Sequence, residues 1–337
     1  MTHRLYVSCA NDRAIEILDL DVGGTLRRHS TVAVPGPAGE AISMPLALSA
    51  DRTRLYAAVR VAPYPLASFA VAGDGGLTLL GTTELPAGMA YISAVGRHLL
   101  SASYPASLIA SHKIGADGVA HGPPSQVTAT PDKAHCILPD PAGRFVYVPC
   151  LGGDVILHLH FDRATGLLTP AGEGRVPVRP GAGPRHMRFA AGGRVAYVLN
   201  ELDASLDRYA VDPATGTLSL RQTVQTLPAG TVGRIAAADL HLTPDGRFLY
   251  ASERLTGTLS AWRVDSATGD LAPLGSIASE AGPRGFAISP DGRFLLCAGQ
   301  TSHRIGVYAI AADTGRLTAI GGLPVAANPN WIAFLHG

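Results

Sequence analysis

This sequence predicts an all-β fold: a seven-bladed β-propeller with four antiparallel strands per blade. Three observations carry that expectation. First, a short apolar marker recurs seven times, as Leu5-Tyr6-Val7, Leu55-Tyr56-Ala57, Leu99-Leu100-Ser101, Val146-Tyr147-Val148, Ala196-Tyr197-Val198, Leu249-Tyr250-Ala251 and Leu295-Leu296-Cys297. The markers lie 44 to 53 residues apart, close to the period of a four-stranded propeller blade. Second, a turn precedes the marker, most clearly in Thr243-Pro244-Asp245-Gly246-Arg247 and Ser289-Pro290-Asp291-Gly292-Arg293. Third, 39 Gly and 25 Pro among 337 residues suit many tight turns and would be odd in a helical protein.

The unit is clearest in residues 282–320. Apolar runs at 285–288, 294–298, 305–310 and 317–320 are separated by turns or a polar loop, the last turn holding Asp313-Thr314-Gly315. Runs of this length between Pro/Asp/Gly turns read as strands. The turn Asp140-Pro141-Ala142-Gly143-Arg144 is a looser copy, and Ala94-Val95-Gly96-Arg97 marks the most degenerate blade. The N-terminal unit has a second strand at 5–9, a third at 14–20 and a fourth near 25–34, but no first. The segment 330–334 resembles an orphan first strand. The termini are therefore expected to share one blade, which closes the ring without an open edge. One domain, 1–337, is expected.

Composition narrows the function classes. A net charge of +1 gives no bulk attraction to nucleic acid or to a membrane surface. The first four residues lack a signal-peptide pattern, and no apolar run approaches the roughly 18 residues of a membrane span. A soluble, cytoplasmic protein is expected, as a monomer or weak homo-oligomer. Cys9, Cys136, Cys150 and Cys297 have no metal-ligand spacing and read as buried thiols.

Seven repeats allow equivalent positions to be compared within one chain. At the start of the first strand these are Met44, Gly88, His135, Arg185, Ala238, Arg284 and Asn330. At the end of the second strand they are Ala10, Arg60, Tyr104, Leu151, Glu201, Arg254 and Gln300. Antiparallel pairing puts both sets at one end of the ring. One mouth of the channel therefore gathers His135, Arg185, Glu201, Arg254 and Arg284. Several cations with one carboxylate and one imidazole suit an anionic, ester-like substrate. Any one of these residues alone could be a solvated surface charge or half of a salt bridge. Asp239 and His241 alternate on one first strand, and either could line the channel. Gln300 lies in a loop at the blade top. His186 follows Arg185 and is expected to point the opposite way, into the blade packing. There is no nucleophile elbow, HExxH or CxxC.

With these residues in view, the chain resembles the seven-bladed propeller lactonases, which include bacterial 6-phosphogluconolactonase and the fungal carboxymuconate lactonizing enzyme. The likeness spans essentially the whole chain. It is most specific in Gly183-Pro184-Arg185-His186-Met187, Asn200-Glu201-Leu202, Ala237 through Arg247, Pro283-Arg284-Gly285-Phe286 and Ala298 through His303. The resemblance implies an active-site set of His135, Arg185, Glu201 and Arg284. It also implies lactone hydrolysis, with 6-phosphogluconolactone as the leading substrate and no cofactor. Either Glu201 or His135 would deprotonate water and the other would act as acid, while Arg185 holds the oxyanion or the substrate's charge. Arg284, with Arg254, Asp239, His241 and Gln300, would bind substrate. No metal is expected, since one carboxylate among arginines would repel a cation. Alternatives are a hexaric-acid lactone, suggested by the unusual context Lys133-Ala134-His135-Cys136, a muconate-type lactonizing isomerase, and a non-enzymatic binding platform.

Overall fold

The computed structural model of the chain describes residues 2–335 apart from 38 and 229, so residues 1, 336 and 337 of the expected span lie outside the described residues. Twenty-eight strands form seven four-stranded antiparallel sheets. Blade one takes its first strand from the C-terminal end, Pro329–Phe334, and its others from His3–Cys9, Ala14–Leu20 and Leu26–Ala33. Leu5 pairs with Phe334 and Ser8 with Trp331, so the expected shared blade is present.

Strand position around each blade dictates residue type. Second strands such as Phe248–Glu253 are buried along their whole length, because neighbouring blades cover both faces. Fourth strands such as Leu218–Gln225 lie at the rim and are mostly exposed. The apolar core divides into clusters, one at each junction between blades. Alternation distributes one strand between two of them: Leu5 and Val7 pack toward blade seven, while Tyr6 packs toward blade two.

The recurring tyrosine has a polar task as well. Tyr147 Oη donates to the Gly216 carbonyl at 2.5 Å, in the outer turn of the next blade. Tyr6, Tyr56, Tyr197 and Tyr250 do the same to Gly75, Gly118, Gly269 and Gly315. Each hydroxyl therefore ties one blade to the next while its ring fills the junction. The accepting glycines have positive φ, +71° at Gly315, and a Cβ there would lie 2.3 Å from the Phe248 ring. Leu100 and Leu296 stand where blades three and seven lack this tyrosine.

Candidate active site

The innermost strands do not run straight to the mouth. In blade five, Pro184 pairs with Asn200 and His186 with Leu199, which leaves Arg185 as an extra, unpaired residue. Blade seven repeats this at Arg284, between Pro283 and Gly285, and blade one at Asn330. In blade six, Ala238 and Asp239 together occupy the space opposite Ser252. Each is a β-bulge, which bends the strand and re-aims the side chain at the bulge. The bulges fall on the positions singled out by comparing the repeats.

At the mouth, Glu201 bridges two arginines. Arg185 Nε donates to Oε2 at 2.8 Å and Arg254 Nη2 to Oε1 at 2.8 Å. Arg254 also donates to the Ala236 carbonyl. Arg60 donates to Ser43 Oγ at 2.9 Å. Arg284 has no hydrogen bond or ion pair among the described residues, and it faces a throat lined by His135, Arg185, His186 and Asn330. Above the throat opens a cleft of about 660 Å³, bordered by Tyr104, Glu201, Arg234, Arg254, Gln300 and Thr301. His135 is buried, with its ring centroid 5.7 Å from Tyr104 and 5.2 Å from His186. Its Nδ1 has no partner among the described residues. Gln300 Nε2 donates to Asn328 Oδ1 at 2.8 Å and to the Ile42 carbonyl at 3.1 Å, which holds it at the rim.

Residues 4–334 match the family described as lactonase, 7-bladed beta-propeller. The chain belongs to this family. Over 290 residues it is 37% identical to the 6-phosphogluconolactonase of Serratia proteamaculans, covering 86% of this chain and 85% of that protein. A Pseudomonas aeruginosa periplasmic gluconolactonase superposes with a TM-score of 0.90 at 26% identity, covering 99% of both chains. A candidate 6-phosphogluconolactonase from Bacteroides fragilis gives a TM-score of 0.90 at 26% identity, covering 99% of this chain and 98% of that one.

In this lactonase the electrostatics separate the roles of its titratable groups. Burial would push the Glu201 carboxyl up, but Arg185 and Arg254 outweigh it and hold the group below its ordinary range. Glu201 is thus an ionised, doubly paired carboxylate. Burial, together with Arg185, His186, Arg284 and Arg60, holds the His135 imidazole well below 6.5, so it is neutral at neutral pH. Burial and the neighbouring Arg185, Arg254 and Arg60 push Arg284 well below its ordinary value, against the weaker pull of Glu201. A guanidinium does not deprotonate in proteins, so Arg284 stays charged with no ion pair among the described residues, which favours a counter-anion beside it.

One expectation fails here. His186 does not turn into the blade packing: its Nε2 lies 3.0 Å from Arg185 Nη1, on the channel side. The bulge breaks the strict alternation that would have separated the two side chains. Asp239 and Trp331 line the same throat, and His241 Nε2 lies 3.2 Å from Asp239 Oδ2. Beside them stand Arg188, which donates to Tyr91 Oη at 3.0 Å, and the Trp331 ring, 5.1 Å from that of Tyr91. Sequence reasoning passed over Arg188, Tyr91 and Trp331. Extending the repeat comparison three residues along the first strand would have reached Arg188 beside His241. Among the described residues, no group of three or more His, Cys, Asp or Glu side chains is placed to hold a metal ion, and no helix is long and apolar enough to cross a membrane.

Proposed function

We propose that this chain hydrolyses 6-phosphogluconolactone to 6-phosphogluconate. The observation that carries the reading is Arg284: a guanidinium without an ion pair among the described residues, sharing a narrow throat with the neutral imidazole of His135 at the mouth that also bears the cleft. An anionic lactone would supply the missing charge while its carbonyl reaches His135. A planar fork of donors suits a phosphate or a carboxylate.

In the reaction, water adds to the lactone carbonyl as its proton passes to His135. The carbonyl electrons move onto oxygen, and Arg185 stabilises that oxyanion. Collapse of the tetrahedral intermediate breaks the bond from the acyl carbon to the ring oxygen. His135 then returns its proton to that oxygen, which becomes a hydroxyl. Glu201 is a poor base for this step, because both its oxygens are held by arginines. Its part is to fix Arg185 and Arg254. Arg284 grips the phosphate, while Gln300 and Arg254 border its path.

A second reading has its own support. The Pseudomonas neighbour is named a gluconolactonase, and gluconolactone carries no phosphate. Relative kcat/KM for the phosphorylated and neutral lactones decides between the two. We place the reaction in the cytoplasm, in keeping with four free, buried cysteines. We read the assembly as a monomer or weak homo-oligomer.

A further inference from the structure

Arg185 is fastened on three sides. Its Nε donates to Glu201 at 2.8 Å, and its Nη1 donates to the Ala238 carbonyl and lies 3.0 Å from His186 Nε2. Arginine can only donate, so His186 Nε2 accepts and the ring proton sits on Nδ1. That nitrogen faces an acceptor, Asp239 Oδ1, at 2.9 Å. The contacts therefore select one tautomer. Asp239 is anchored in turn: it accepts from the Leu240 amide at 3.0 Å and the Phe286 amide at 3.4 Å, and it lies 3.5 Å from Arg188 Nη2. With His241 on Oδ2, both its oxygens are engaged from within the protein. His186 and Asp239 line the throat beside Arg185, but the polar atoms with which they could bind substrate are already engaged within the protein.

We propose that Asp239 and His186 are a positioning pair: they set the His186 tautomer so that it tethers Arg185 Nη1 and leaves Nη2 for the lactone oxyanion. The inference rests on the reading of Arg185 as the oxyanion holder. Without the tether, Arg185 would keep its charge and its bond to Glu201 but lose its fixed angle, and preorganisation is what makes such a donor effective. Burial and Arg185 push His186 down to about 3, against the pull of Asp239, so the ring stays neutral and able to accept.

Three variants and one spectrum test this. His186→Phe keeps the ring volume and removes the acceptor; His186→Gln restores an acceptor near Nε2. With 6-phosphogluconolactone, His186→Phe should lower kcat about 10²-fold with KM within about threefold, and His186→Gln should recover at least about tenfold of that loss. Equal losses in both, or a His186→Phe kcat within about threefold of the parent, overturn the proposal. In Asp239→Asn, the amide can donate to Nδ1 and move the proton to Nε2, so that two donors confront each other. The ¹⁵N shifts of His186 should show protonated Nδ1 and bare Nε2 in the parent, reversed in Asp239→Asn. Protonated Nε2 in the parent overturns the tether, and so does an unchanged tautomer with unchanged kcat in Asp239→Asn. The spectrum needs no substrate. An inactive parent with the expected tautomer would refute the lactone reading and leave the tether standing. Should His186→Phe not fold, the parent spectrum and Asp239→Asn decide.

Discussion

Burial and neighbouring cations shift both Arg284 and His135 downward, yet each makes a distinct prediction. Arg284→Lys keeps a charge but loses the fork, so KM for a phosphorylated lactone should rise while kcat changes less. His135→Asn removes the base, and kcat should fall by roughly 10²–10⁴ in a folded protein. The pH profile adds a check. The His135 value lies below 6.5, so the basic form is present at neutral pH and is lost only as pH falls below that range. The kcat/KM profile should stay flat through neutral pH and decline only well below pH 6.5. Glu201→Gln should also lower activity, by leaving Arg185 and Arg254 unpaired, but should retain an acid limb belonging to His135. If the acid limb vanishes in Glu201→Gln and persists in His135→Asn, the two roles are exchanged. The sequence exposed these residues because seven repeats supplied seven bland or charged versions of one position. It did not expose the orientation of His186. A bulge adds a single residue to one strand, and nothing in Gly183-Pro184-Arg185-His186 separates it from regular alternation.

Strands and turns were legible where local chemistry and burial agree. The Pro-Asp-Gly turns and the fully buried second strands carry strong signals, so the marker period translated directly into blades. The bond from each marker tyrosine to the next blade's glycine was not legible, because it joins positions about one and a half blades apart in sequence. Tyr147→Phe tests it. Loss of the hydroxyl leaves the Gly216 carbonyl buried without its partner and should cost about 1–3 kcal/mol, read as a lower urea midpoint at unchanged m-value. Gly315→Ala should be worse. It combines a φ of +71° with a Cβ 2.3 Å from the Phe248 ring, so that Phe248 or the turn must move. A Gly315→Ala protein as stable as the parent would show that the junction has more room than these contacts allow.

The closed ring brings together a site whose residues are scattered from Arg60 to Asn330. The closing strand contributes to it directly: Asn330 Oδ1 accepts from the Met44 amide at 2.9 Å, and Trp331 packs on Tyr91. Deleting residues 328–337 should therefore open an edge of blade one, lower solubility and abolish activity together. Unchanged melting after that deletion would contradict closure through the shared blade. An excess of arginine over carboxylate at the mouth predicts that dialysis against a chelator leaves turnover intact; loss restored by calcium or zinc would contradict it. The central claim is that the uncompensated arginines exist to receive an anionic lactone. Its most direct test is kcat/KM for 6-phosphogluconolactone against neutral gluconolactone, measured side by side with a hexaric-acid lactone. The account predicts a strong preference for the phosphorylated lactone, reduced in Arg284→Lys. Equal or better hydrolysis of gluconolactone would contradict it.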